Sequence, residues 1–219
     1  MNIKHILTKP RNKSNKGVIL IPGISGKPLS NKYNFLAKEL QKNNFYFLRF
    51  NIWESPSDLE KKTLNKIYRD IKKAIDYMKK IGCEEISLIG KSFGGGILLS
   101  KKFVGIKKLI LLAPAINYAS ESNIEKIKNK ELSKIKNIFD IKIDKNNLKK
   151  LDLEILIIHG DKDEIVPIEN SRKIIKDIEN GKLETIKNAN HSYDKKEKEL
   201  VKYYQEFLIK HTQKAYKRI

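Results

Sequence analysis

Short apolar blocks and amphipathic stretches alternate along nearly the whole chain, and that alternation restricts the possible folds more than any other feature. Residues 18–21, 86–90, 109–113 and 155–159 are largely apolar runs of strand length, residues 45–50 (Phe-Tyr-Phe-Leu-Arg-Phe) and 183–186 (Leu-Glu-Thr-Ile) also read as strands, and residues 3–7 add a short candidate edge strand. Between them apolar side chains recur at helical intervals: Tyr33, Leu36, Ala37 and Leu40; then Leu64, Ile67, Ile71, Ala74, Ile75 and Met78 in a long helix from Ser57. Ile97, Leu98 and Leu99 follow, then Ile168, Ile174, Ile175 and Ile178, and a final helix from near Lys195 carries Leu200, Val201, Tyr204, Phe207 and Leu208. Strands apolar throughout are covered on both faces, so the pattern predicts an α/β fold with a mainly parallel sheet and helices on both sides. In such a sheet a ligand sits where loops leave the carboxyl ends of the strands. Those loops begin at Pro22, Asn51, Lys91, Pro114, Gly160 and Asn188.

With 219 residues the chain is long enough for one domain with a full core, and no linker divides it. The alternation lapses only between residues 116 and 151, where Ile124, Ile127, Leu132, Ile135, Ile138 and Phe139 keep helical intervals. This small helical insertion is either a lid or a peripheral decoration. No apolar run approaches the length of a membrane span, and the first residues lack a signal-peptide core, so a cytoplasmic protein is expected. A single cysteine, Cys83, fits a reducing compartment and excludes a cysteine-rich metal site. The net charge of +20 suggests phosphate binding, but only five of the 46 basic residues are arginine, and lysine is spread along every element. Lysine, isoleucine and asparagine together are what an A+T-rich genome encodes, and no nucleic-acid-binding signature accompanies the charge, so no specific nucleic-acid partner is expected.

Residues 86–96, Ile-Ser-Leu-Ile-Gly-Lys-Ser-Phe-Gly-Gly-Gly, run from a strand through glycines around one serine into a helix. Ser92 therefore sits on a sharp strand-to-helix turn, and Gly90 and Gly94 on its flanks supply the room that such a turn needs. A serine hydroxyl is a weak nucleophile that requires a base, and the base requires an acid to orient it. Two later loops offer both. Residues 159–167, His-Gly-Asp-Lys-Asp-Glu-Ile-Val-Pro, place carboxylates after one strand, and residues 188–193, Asn-Ala-Asn-His-Ser-Tyr, place His191 after the next. Asp161 and Asp163 compete for the role of acid; Ile165, Val166 and Pro167 can dock the loop behind Asp163, whereas Asp161 can cap its own turn. His159 lies at a strand end, where packing or a local bond is expected of it, and His5 and His211 have no companions.

Gly90-Lys91-Ser92-Phe93-Gly94 resembles the nucleophile elbow of the α/β-hydrolases, and the order serine, acid, histidine is the order of that family. His159, Gly160, Asp163, Val166 and Pro167 fit its acid-loop pattern, and Asn190-His191-Ser192 fits its histidine loop. The likeness runs from Val18 to the final helix and is closest to small dienelactone-hydrolase-like and prolyl-oligopeptidase-like enzymes. The dienelactone hydrolases carry a cysteine nucleophile where this chain has Ser92. The resemblance implies a serine hydrolase with the α/β-hydrolase fold: Ser92 as nucleophile, His191 as base and Asp163 as acid. It also implies an oxyanion hole made by the backbone N–H groups of Phe93 and Ile24, although the His-Gly pair that opens the second of these loops in the family is Pro22-Gly23 here. Gly23 and Gly26 would allow close backbone approach to the substrate.

Trp53 is a candidate apolar wall of the pocket and equally a cover for the core. Lys27 and Lys91 flank the site, but lysine is too common here for them to argue for a carboxylate-bearing substrate. The expected partner is a small acyl substrate, cleaved at an ester, with no cofactor and no metal. A peptidase or thioesterase would use the same residues, and a binding protein retaining the fold is the rival of another class. The oligomeric state is not written in the sequence.

Overall fold

A computed structural model describes residues 3–25, 27–116, 143, 148 and 152–209. Gly26, His211 and the greater part of the 116–151 insertion, with its expected helices, lie outside the described residues. Among the described residues seven strands form one sheet: β1 (His5–Thr8), β2 (Lys16–Ile21), β3 (Tyr46–Phe50), β4 (Glu85–Lys91), β5 (Ile106–Leu112), β6 (Glu154–Gly160) and β7 (Gly181–Ile186). Their spatial order is β1-β3-β2-β4-β5-β6-β7. β1 runs antiparallel to β3 at the edge, and every other pairing is parallel.

The uniformly apolar strands split their side chains between two cores because successive residues face opposite ways. Ile19, Ile21, Leu48, Phe50, Leu88, Leu109, Leu111, Ile155 and Ile157 share one core. Val18, Leu20, Phe47, Ile89, Ile110, Leu112, Leu156 and Ile158 share the other. The first is covered by α3 (Leu64–Lys80), which buries Ile67, Ile71, Ala74, Ile75 and Met78, and by α4 (Phe93–Ser100). The second is covered by α1 (Asn34–Lys42), through Leu36 and Leu40, and by the last helix, α6 (Glu197–Ile209), through Val201, Tyr204 and Leu208. Ile116 and Leu148, at either end of the insertion, are buried in the first core.

The expected long helix from Ser57 is two helices, α2 (Pro56–Glu60) and α3. Thr63 separates them: its backbone is extended, and its Oγ1 accepts the Lys66 N–H, which makes it the N-cap of a new helix. Likewise the helix after β6, α5 (Ile168–Ile174), tightens into a 3₁₀ turn over Ile175–Asp177.

Register lines up the carboxyl ends of the central strands. Ile21 is level with Gly90, Lys91 with Leu112, Leu112 with Ile158, and Gly160 with Ile186. From β2 the chain crosses to β3 on one side, while β4 leads on to β5 at the other, so the crevice between β2 and β4 is the point where the winding reverses. Open parallel sheets hold their ligands at that position.

Candidate active site

Ser92 follows β4 as the N-cap of α4, with φ 50° and ψ −116°. That conformation costs a non-glycine residue on the order of 1–3 kcal/mol, and the surroundings hold it in place. Its N–H donates to the Leu112 carbonyl at 2.8 Å, and its carbonyl accepts from Gly95, Gly96 and Ala115. The neighbouring glycines are there for space. A Cβ on Gly90 would meet Gly95 Cα and Leu98 Cδ1 at 2.8 Å, and one on Gly94 would meet the Ile21 and Pro22 carbonyl oxygens at 2.5 Å. The turn thus presses directly on the end of β2. Gly23, in the loop after β2, faces Ser92, since its own Cβ would lie 3.4 Å from Ser92 Cβ.

The acid and histidine loops meet beside this turn. The Asp163 side chain is fully buried: its Oδ1 accepts the N–H groups of Ile165 at 2.9 Å and Val166 at 2.8 Å, and its Oδ2 lies 2.7 Å from His191 Nδ1. A carboxylate only accepts, so Nδ1 carries the hydrogen, and Nε2 of a neutral His191 keeps its lone pair. Burial alone would raise the Asp163 pKa, but hydrogen bonds from His159, His191 and the Val166 N–H hold it well below the usual carboxylate range. His191 is shifted down from its ordinary value: burial is the main cause and the Lys91 ammonium adds to it, while the bond to Asp163 opposes both.

Beneath this pair His159 has no exposed surface. Its Nε2 lies 2.9 Å from the Val166 carbonyl and 3.3 Å from Asp163 Oδ2, and its Nδ1 lies 2.7 Å from Ser171 Oγ. Because the carbonyl can only accept, Nε2–H is the donor there, while Nδ1 pairs with the Ser171 hydroxyl, which can donate or accept. His159 packs and bonds locally, as its strand-end position suggests.

No protein-family model matches the chain, and no curated protein sequence does. Solved structures do. Est1E of Butyrivibrio proteoclasticus with ferulic acid bound superposes with a TM-score of 0.80 at 24% identity, over 94% of each chain. The esterase EaEST of Exiguobacterium antarcticum gives 0.76 at 15% identity, over 95% of this chain and 96% of its own. A bromoperoxidase from Bacillus anthracis gives 0.72 at 17%, over 94% and 95%. MGS-M2, an α/β hydrolase from a deep-sea metagenome, gives 0.74 at 14%, over 98% and 96%. The chain has the α/β-hydrolase fold.

Within the α/β-hydrolase fold the two competing aspartates have separate tasks. Asp161 accepts the Asn188 N–H at 2.6 Å through its side chain, and its own N–H donates to Ile186. It ties its loop to the histidine loop instead of capping its own turn. Lys162 N–H adds a bond to the Ala189 carbonyl. Trp53 has no exposed surface and belongs to the first core, the second of the two places that the sequence offers it.

Two residues matter in ways the sequence did not signal. Lys91 Nζ donates to the His191 carbonyl at 2.6 Å and lies 5.0 Å from the centre of the Tyr193 ring. It braces the histidine loop, and burial pushes its ammonium down to about 7, against the pull of the Asp163 carboxylate. Tyr193, with φ 59°, sends its hydroxyl under the loop to donate to the Ile158 carbonyl at 2.7 Å. Spacing gives no clue to either bond, because both are made across the sheet's end.

Among the described residues no group of three or more His, Cys, Asp or Glu side chains is arranged to hold a metal. Nor is any helix among them long and apolar enough to cross a membrane.

Proposed function

We propose that the protein is a serine esterase that cleaves the ester bond of a small acyl substrate through Ser92, His191 and Asp163. The observation that carries this reading is the 2.7 Å contact between a buried Asp163 carboxylate and His191 Nδ1, beside a serine held in a strained strand-to-helix turn. A buried carboxylate on Nδ1 orients an imidazole and stabilises its cation, which is the support that a general base needs beside a nucleophile. The esterase names among the structural neighbours support the same chemistry, whereas the bromoperoxidase name among them is a reminder that fold alone does not choose.

In the reaction Ser92 Oγ forms a bond to the acyl carbon while its proton passes to His191 Nε2. The carbonyl oxygen becomes an anion, received by the N–H groups of Phe93, the first residue of α4, and Ile24. Collapse breaks the bond to the leaving alkoxide, which takes the proton from His191. Water then repeats the sequence on the acyl-enzyme and releases the acid. The small pull of helix α4's N-terminus adds to the hole.

Intact-mass analysis after fluorophosphonate treatment tests the assignment. The wild type should gain one adduct and Ser92→Ala none; an unlabelled wild type, or a labelled variant, would refute it. Ester, thioester and peptide panels then separate esterase from thioesterase and peptidase, whose leaving groups the same residues would serve.

The pH profile follows from His191. It must be neutral to accept the proton, and its pKa lies below 6.5 because burial and Lys91 outweigh Asp163. kcat/KM for a non-ionising ester should therefore be constant at pH 7 and fall on acidification with a midpoint below 6.5. A midpoint at or above 6.5 would contradict the site electrostatics.

A further inference from the structure

The Trp53 indole N–H lies 3.1 Å from the Gly23 carbonyl oxygen and 3.0 Å from that of Ile24. Its ring meets Phe93 edge to face, with centroids 5.7 Å apart and planes at 68°. One fully buried side chain thus touches both residues whose N–H groups would receive the oxyanion. In a planar trans peptide the C=O and N–H point in opposite directions, and no described peptide bond is cis. Holding the Gly23 carbonyl against the indole therefore fixes the Ile24 N–H of the same peptide plane on the side away from Trp53. Gly23 itself lies against Ser92. At the far end of the same loop Arg49 Nη1 donates to the Ser30 carbonyl at 3.2 Å and to Asn34 Oδ1 at 3.3 Å, so the loop is anchored at both ends.

We propose that Trp53 is the positioning residue of the oxyanion hole: its N–H fixes the Ile24 donor through the Gly23 and Ile24 carbonyls, and its ring fixes Phe93. The inference rests on the serine-esterase reading. Donors stabilise a transition state only if they are already aimed when charge develops, so loosening one weakens the transition state more than the bound ester.

The test replaces Trp53 by 3-benzothienylalanine, which keeps the bicyclic shape and loses the N–H, and by Phe as a second variant. Fluorophosphonate adduct formation counts the active fraction, so that kcat is expressed per competent site. A trifluoromethyl ketone reports the hole directly: Ser92 Oγ bonds to its carbonyl carbon, the proton passes to His191, and the ketone oxygen becomes the anion. The benzothienyl variant should lose about 10- to 100-fold in kcat with KM nearly unchanged, less than the 10²–10³ of deleting a donor outright. Its inhibition constant for the ketone should rise by the same factor, and Trp53→Phe should lose more. If kcat per labelled site and the inhibition constant both match the wild type, or if only the labelled fraction falls, the positioning role is overturned while the esterase reading stands. If the wild type takes up no fluorophosphonate, both fall together.

Discussion

Asp163→Asn should lower kcat about 10⁴-fold and leave the fold almost intact. The carboxylate makes two kinds of contact. Its Oδ1 accepts from the Ile165 and Val166 N–H groups, a task that an amide oxygen performs equally well. Its Oδ2 accepts from His191 Nδ1 and also lies 3.3 Å from His159 Nε2, and there the substitution places an NH₂ group. Two donors cannot share that contact, so the ring must change tautomer and put its proton on Nε2, where it can no longer accept one from Ser92. In the proposed mechanism the imidazolium formed during attack also loses the carboxylate that stabilises it. The matching change at the other aspartate is the control: Asp161→Asn keeps an acceptor for the Asn188 N–H and should retain activity within a few-fold. Steady-state kinetics with thermal melts on both variants decide the matter. A loss of less than tenfold for Asp163→Asn would mean that the carboxylate does not orient the base.

The same pair of aspartates shows how far the sequence could be read. Asp163 was favoured over Asp161 by its place in the family's pattern and by the apolar residues after it, of which Val166 is buried and Ile165 is 54% exposed. What Asp161 does was hidden, because its partner, Asn188, comes from the next strand's exit and the bond exists only once Gly160 and Ile186 are level. Strands and most helices were legible for the reason that made them fold: each apolar run is long enough to be covered on both faces, and each helical stripe is wide enough to cover one. The break at Thr63 was missed because periodicity continues across it, while the cap that enforces it is a single hydroxyl. Trp53 is the sharpest case. A large aromatic on a loop at the ligand edge of a sheet reads equally as a pocket wall or as a cover for the core, and nothing in one dimension reveals that its N–H finds two carbonyls some thirty residues earlier in the chain. Lys91 was equally hidden, since one lysine among so many carries no signal until its bond to His191, a hundred residues on, is seen.

Gly94→Ala should cost about 3 kcal/mol or more, enough to lower the melting temperature of a chain this size by roughly 6–12 °C. The added Cβ would lie 2.5 Å from the carbonyl oxygens of Ile21 and Pro22. Both are backbone atoms at the end of a central strand, so neither can swing aside as the tip of a side chain would. Relief requires α4 to lift from the end of β2, and α4 also carries Ile97 and Leu98 into the first core. Lifting it would disturb the Ser92 turn, which is fastened by the Gly95 and Gly96 N–H groups of the same helix. Activity and stability should therefore fall together in this variant, in contrast to Asp163→Asn. Gly23→Ala sets the scale from across the crevice, because its Cβ would meet Ser92 Cβ only at ordinary contact distance, 3.4 Å, and the fold should accept it. Melting curves of the two variants side by side provide the measurement. If Gly94→Ala melts within about 2 °C of the wild type, the elbow does not press on β2 as closely as its geometry requires.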